Sequence, residues 1–365
     1  MNPASTELQR RAFRFNPRYL PLAVTIGLFV LMFGAGSYSF DGFFSLQVFL
    51  NLFIDNAFVA ISAVGMTFVI ISGGIDLSIG SVIALTAMVS ASLLKGGGWN
   101  PGLVIAVVLA LGSAFGFFMG VIIQYFAIQP FIVTLAGMFL ARGLCYIISI
   151  DSISITNPFY TAASTLRIPL PFETSVSVNV LIALVVLVIA LYLAHYTRFG
   201  RTVYAIGGNE QSALLMGLPV ARTKILIYTL NGFCSALAGV VFTFYMLSGY
   251  GLHALGMEMD AIAAAVIGGT LLTGGSGWII GTLFGVLIYG TIQTLIMFQG
   301  SLSSWWTKIV IGMLLLVFCL LQRVFESTSA LRKGSTSGGR SAPEDRRTPA
   351  PPSEIPPDGR AQAGG

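Results

Sequence analysis

Ten apolar stretches, each long enough to cross a lipid bilayer, recur between residues 19 and 323. A spanning helix needs about 20 apolar residues, and the stretches lie near 19–38, 47–71, 78–95, 102–124, 130–150, 176–197, 224–248, 258–275, 277–297 and 305–323. No other feature constrains the fold as tightly. In hydrocarbon every backbone N–H and C=O has to be satisfied within the chain, so only helices or a closed barrel can cross. Apolar runs of this length, without the two-residue alternation of a barrel strand, specify helices. The expected fold class is an all-α polytopic membrane protein with about ten transmembrane helices. Only 9% of the residues are charged, against about 25% in soluble domains. Residues 19–323 therefore read as one membrane domain, although 365 residues would make two or three soluble ones.

The formal net charge of +5 is spread along the chain and not gathered into a face for nucleic acid. Arg10, Arg11, Arg14 and Arg18 precede the first stretch; Arg198, Arg201, Arg222 and Lys224 share one central loop; Arg323, Arg332 and Lys333 follow the last stretch. An even number of spans puts both termini on one side, and the positive-inside rule makes that side cytoplasmic. Residues 1–18 become a basic cytoplasmic N-terminus, 151–175 an outer loop and 198–223 an inner one. The first stretch is too long for a cleaved signal core and reads as a retained helix. Trp305 and Trp306 fall at the outer end of the last span, with Lys308 placed to snorkel. Beyond Arg323 the chain turns to Pro, Gly, Ser and mixed charge, so 328–365 is expected to be a disordered cytoplasmic tail. Cys145, Cys234 and Cys319 sit in apolar runs without metal-ligand spacing, and are expected to be small buried thiols with no metal.

Residues 73–81, Gly-Gly-Ile-Asp-Leu-Ser-Ile-Gly-Ser, interrupt this apolar background. Irregular backbone at membrane depth is tolerated only inside protein or beside water, so Gly73, Gly74, Asp76, Ser78 and Gly80 are expected to form a hinge or gate. Asp76, placed near the cytoplasmic end, can cap the following helix or belong to the gate itself. A fainter echo follows Ile267 as Gly268-Gly269, which join the hinge or gate candidates, then Leu271 and Gly275-Ser276. Paired glycine-interrupted segments mark inverted repeats in some transporters, and glycine also serves plain close packing. Both readings stay open.

A charge in the bilayer is costly and calls for a reason. Asp55, beside Asn56, and Arg142 fall at comparable depth in the outer half. They are pathway candidates expected to approach each other, or a structural ion pair. Glu258 and Asp260 begin the eighth span, where acids stabilise a helix start.

Enzymatic chemistry finds no foothold. There is no Gly-Lys dipeptide, hence no P-loop, and no His-Glu-x-x-His or Gly-x-Ser-x-Gly. His195 and His253 stand apart, at a helix end and in an outer loop. The inner loop 198–223 is more informative. Asn209 can cap a short helix begun by Glu210 and ended by Gly217, leaving Ala213, Leu214 and Met216 for a partner. Short helices are marginal alone in water, so a docking role competes with a plain connection.

Residues Gly65–Ser78, reading Gly-Met-Thr-Phe-Val-Ile-Ile-Ser-Gly-Gly-Ile-Asp-Leu-Ser, resemble the signature of ribose-type sugar permeases of bacterial ABC importers, in the branched-chain amino acid and ribose permease family. Tyr204–Asn209 is similar to the family's coupling segment, and Leu252–Gly277 to its second half. The resemblance covers 20–323. It implies a non-enzymatic inner-membrane subunit that holds no cofactor. ATP is bound by a separate ATPase docking at Gly207, Gly208, Asn209, Glu210, Ala213, Met216 and Gly217. A second permease and a periplasmic sugar-binding protein complete the assembly. Ser303–Lys308 and Ser152–Ile155 look like the galactofuranose subgroup, which makes that monosaccharide the expected cargo. An ion-coupled secondary transporter is the rival reading.

Overall fold

The computed structural model describes residues 20–337 apart from Phe172 and Ser304. Among them helices occupy all ten apolar stretches. In chain order they are α1 (Leu20–Ser39), α2 (Leu46–Asp55), α3 (Ala57–Ile71), α4 (Ile79–Leu94), α5 (Pro101–Tyr125), α6 (Pro130–Ile148), α7 (Pro158–Thr165), α8 (Val178–Tyr196), α9 (Arg198–Gly208), α10 (Glu210–Leu215), α11 (Val220–Met246), α12 (Met257–Ile267), α13 (Ile279–Gln299) and α14 (Trp305–Ser337). Eight are long and apolar enough to cross a membrane alone, and the bent pair α2–α3 makes a ninth. The tenth stretch behaves differently. Where 258–275 reads as a span, helix α12 stops at Ile267 after 11 residues, too few to cross.

The second stretch breaks by 57° between α2 and α3. No proline lies there. The Asn56 Nδ2 donates to the Leu52 carbonyl at 2.9 Å, and a side chain inserted into the helical ladder is a known cause of a kink. Nearly all of α3 is buried. Around it, Leu31, Phe118, Phe139 and Val188 on α1, α5, α6 and α8 are more than 60% exposed, as lipid-facing side chains should be.

Glycine sets the closest helix crossing. Gly112, Gly116 and Gly120 recur every four residues on α5 and lie against α11, where a Cβ on Gly116 would meet the Tyr228 carbonyl and the Gly232 Cα at 3.1 Å. Small residues let membrane helices approach until backbone touches backbone.

Two short antiparallel pairs lie at the end away from α9–α10. Strand β1 (Ile153–Ser154) pairs with β4 (Ser248–Gly249), and β2 (Arg167–Leu170) with β3 (Thr174–Ser177). The chain forms two units, dividing after Cys319; the described part of the second is the remainder of α14. Helix α14 runs to Ser337, so 328–337 is helical where a disordered tail is expected; Ala330, Leu331, Arg332 and Lys333 are good helix formers. The basic N-terminus, 1–18, and tail residues 338–365 lie outside the described residues.

Candidate translocation and coupling site

Helix α3 and helix α12 end in one and the same turn. Gly73 takes a φ of +85° and Gly269 a φ of +91°, a left-handed conformation that glycine adopts without strain. In both, the glycine N–H reaches a carbonyl three residues back and the next N–H one five back: Gly73 to Ile70 and Gly74 to Val69, Gly269 to Val266 and Thr270 to Ala265. This closes the orphan carbonyls of a helix end. The sequence echo between 71–74 and 267–270 is thus a shared turn, with Ser72 and Gly268 as its C-caps.

The two breaks also touch. Gly275 N–H donates to the Ile71 carbonyl at 2.8 Å, and a Cβ on Gly274 would lie 3.0 Å from Gly73. Onto this junction comes the end of α9. A Cβ on Gly207 would collide with the Ile71 carbonyl and the Gly275 nitrogen, and Gly208 backs Gly275. Tyr204 donates to the Gly277 carbonyl at 2.9 Å. Gly73 of the hinge candidates and Gly207 and Gly208 of the coupling candidates, distant in sequence, thus meet around Gly274–Gly275.

The inner loop is built as its residues specify, with one exception. The Asn209 side chain caps α10 through the Ser212 N–H at 2.7 Å. Gly217, at φ +74°, closes it with the turn used by α3 and α12, Leu218 reaching back to Ala213. Glu210 pairs with Lys224 at 2.6 Å. Ala213, however, is fully buried against Ile206 and Val220, so it anchors α10 and offers nothing to a partner. The apolar surface presented at α10 is Leu214, Leu215 and Met216, 61%, 86% and 68% exposed. Leu215 was not distinguishable in the sequence because one turn of helix is too short to show a face.

Asp76 lies deeper than its sequence position suggests. From Gly74 to Ser78 the chain is irregular, and Asp76 accepts from Asn231 Nδ2 at 2.7 Å. Asn231 is eleven residues beyond Val220 on α11, roughly 16 Å at about 1.5 Å per residue, half of a ~30 Å hydrocarbon core. The other carboxylate oxygen takes the Ser78 N–H at 2.8 Å and its hydroxyl at 2.6 Å. Asp76 therefore fixes the turn leading into α4 and ties it to α11, in place of capping a cytoplasmic helix end. Gly80 follows, its missing Cβ leaving room for the Ala254 carbonyl and the Glu258 carboxylate.

At the end opposite α9–α10 opens a cavity of about 780 Å³, within the roughly 300–1,000 Å³ of small-molecule sites. Asp55 and Asn56 at the α2–α3 kink line it, with Tyr245, Gln293, Lys308 and the rings of Phe58 and Phe242. Tyr245 donates to Asp55 at 3.5 Å. Lys308 Nζ in this wall sits 2.6 Å from both oxygens of Asp260 behind it, which also accepts from Tyr289 at 3.1 Å, while Gln293 donates to the Tyr289 oxygen at 2.9 Å. Asp260 thereby joins α12, α13 and α14, where its sequence position suggests only a helix start, and Lys308 is paired where a snorkelling head is expected. Hydroxyl, amide and carboxylate groups beside aromatic rings suit a polar, uncharged solute.

Arg142 does not join Asp55. Its Nη1 donates to the carbonyls of Gly251 and His253, at 2.5 and 2.7 Å, and among the described residues it forms no ion pair. It braces the segment between α11 and α12. There His253 packs edge-on to Phe242 and Tyr250, and burial, then the Arg142 charge, hold its imidazole below the ordinary histidine range. The three cysteines are free thiols.

Helical spans, a cavity of mixed polarity and a pair of broken helices that meet define an all-α polytopic permease. The chain belongs to the family described as branched-chain amino acid transport system / permease component, which matches residues 48–319. It is 53% identical over 306 residues to the inner membrane ABC transporter permease protein YjfF of Escherichia coli (strain K12), covering 84% of this chain and 92% of that one. It is 40% identical to the fructose import permease protein FruG of Bifidobacterium longum, over 89% and 96% of the two chains. To the ribose import permease protein RbsC of Escherichia coli (strain K12) it is 38% identical, over 76% and 86%. No solved structure matches it.

Proposed function

We propose that the chain is the membrane-spanning permease subunit of an ATP-binding cassette importer that carries a monosaccharide across the bacterial inner membrane. A separate ATPase binds ATP and docks on the exposed Leu214–Met216 surface of α10 at the cytoplasmic face. A second permease, identical or a sister chain, completes the pathway, and a periplasmic sugar-binding protein delivers cargo to the 780 Å³ cavity. The observation that carries this reading is the seat of Gly207 against both Ile71 and Gly275, since a push on α9–α10 reaches both broken segments directly. Closure of the ATPases then favours one packing of the bundle over the other, a population shift driven by differential affinity.

Relatives named for ribose and fructose import support a monosaccharide as cargo. Galactofuranose is the sugar we favour, on the resemblance of Ser303–Lys308 and Ser152–Ile155 to that subgroup. The experiment is uptake of labelled sugar into proteoliposomes holding the permease pair, with and without the ATPase and the binding protein. ATP-dependent uptake that vanishes without the ATPase is expected. Uptake indifferent to ATP and driven by a proton gradient, through Asp55 or Asp76, overturns the reading. If the binding protein retains ribose and not galactofuranose, the cargo changes while the permease assignment stands.

A further inference from the structure

A second cavity, of about 300 Å³, lies at the α9 end, away from the solute cavity. Its wall carries two basic side chains, His195 at the end of α8 and Arg201 on α9, with Tyr204, Ser276 and Trp278 completing it. No carboxylate lines it. Arg198 lies one turn before Arg201 on the same helix face, and among the described residues neither arginine is in an ion pair. The indole of Trp278 stacks on the His195 ring at 5.6 Å and 24°, holding the imidazole at the rim. On either side of His195 along α8, Tyr192 and Tyr196 stack on each other and are 61% and 75% exposed. Exposed Tyr and Trp rings at the end of an apolar span mark the level of lipid headgroups. The cavity therefore sits where phosphates are, between a spanning helix and an amphipathic helix lying beside it, and basic pockets of this kind bind anionic headgroups.

We propose that this cavity is a binding site for the phosphate headgroup of an anionic phospholipid, gripped by Arg201 and His195 with the glycerol edge against Trp278. A guanidinium takes two phosphate oxygens through its forked donors, and the Ser276 hydroxyl is at hand for a third contact. The site adjoins Tyr204 and Gly275–Gly277, so a bound lipid braces the junction where α9 meets the breaks. It is independent of which solute the chain carries.

The test uses the full-length chain in nanodiscs, with Trp99, Trp305 and Trp306 changed to Phe so that Trp278 is the sole reporter. Lipids brominated near the headgroup quench nearby tryptophan. Brominated phosphatidylglycerol is expected to quench Trp278 severalfold more than brominated phosphatidylcholine at equal mole fraction. In the Arg201→Gln, His195→Gln double variant the two lipids should quench alike. Native mass spectrometry of the chain with all its tryptophans gives a second readout, in which retained phosphatidylglycerol adducts should be lost on Arg201→Gln alone. Equal quenching by both lipids without the double substitution, or adducts unaffected by Arg201→Gln, overturns the proposal. Inorganic phosphate supplies the same chemistry. If it shields Trp278 from acrylamide in phosphatidylcholine discs while phosphatidylglycerol shows no preference, the site belongs to free phosphate and the lipid assignment falls.

Discussion

The Asp260 carboxylate is 8% exposed and meets Lys308 Nζ at 2.6 Å, while the lysine side chain is 45% exposed. Removing one partner of a buried pair costs about 3–5 kcal/mol because the other charge stays uncompensated. Half-exposure of Lys308 lowers that here, to about 2 kcal/mol. Lys308→Met should therefore depress the thermal midpoint in detergent, and Asp260→Asn with Lys308→Met should recover most of the loss. A double variant no more stable than Lys308→Met would show that the pair adds nothing to the packing of α12 on α14. At this scale the sequence was legible in part. Asp55, Asn56 and Asp76 were marked by the rarity of polar groups in an apolar chain. Their partners were not. Arg142 and Asp55 are opposite charges at similar depth, yet an arginine has five donors and can be satisfied by carbonyls alone, as Gly251 and His253 satisfy this one.

Among elements, the α5–α11 crossing depends on bare glycine. A Cβ at Gly116 would lie against the Tyr228 carbonyl carbon at 2.9 Å as well as its oxygen, and backbone cannot move aside as a side chain can. Gly116→Ala is expected to destabilise by about 1–3 kcal/mol through overpacking. Gly143 on α6 has no neighbour within 4 Å at the same position, so Gly143→Ala should be neutral or stabilise by up to about 1 kcal/mol through helix propensity. Thermal unfolding of the two variants in parallel checks this, and equal midpoints would remove the close-packing argument. Helix positions were readable from apolar length, whereas two interruptions were not. The α2–α3 kink arises from one amide reaching one carbonyl, with no proline to announce it. The early end of α12 arises from Gly269 turning left-handed. Glycine is common inside membrane helices, so Gly268-Gly269 does not declare a stop, and Leu271–Leu272 keep the run apolar.

At the scale of the whole molecule, the push proposed for α9–α10 meets both broken segments at the seat of Gly207. Gly207 and Gly208 look equivalent as a dipeptide but are placed differently. A methyl on Gly207 would collide with the Ile71 carbonyl and Gly275 nitrogen, lifting α9 off both broken segments at once; a methyl on Gly208 would meet nothing within 4 Å. Neither methyl falls on Leu214, Leu215 or Met216, the apolar surface proposed for docking, so an ATPase is expected to dock on both variants. Gly207→Ala is therefore expected to leave ATP hydrolysis near its normal rate while sugar moved per ATP falls about tenfold, the effect of roughly 1.4 kcal/mol lost from the coupled state. Gly208→Ala should transport normally. Hydrolysis and uptake measured together in proteoliposomes separate the outcomes. Normal stoichiometry in Gly207→Ala would mean that motion enters the bundle elsewhere, and loss of hydrolysis in that variant would place the glycine in the docking surface itself.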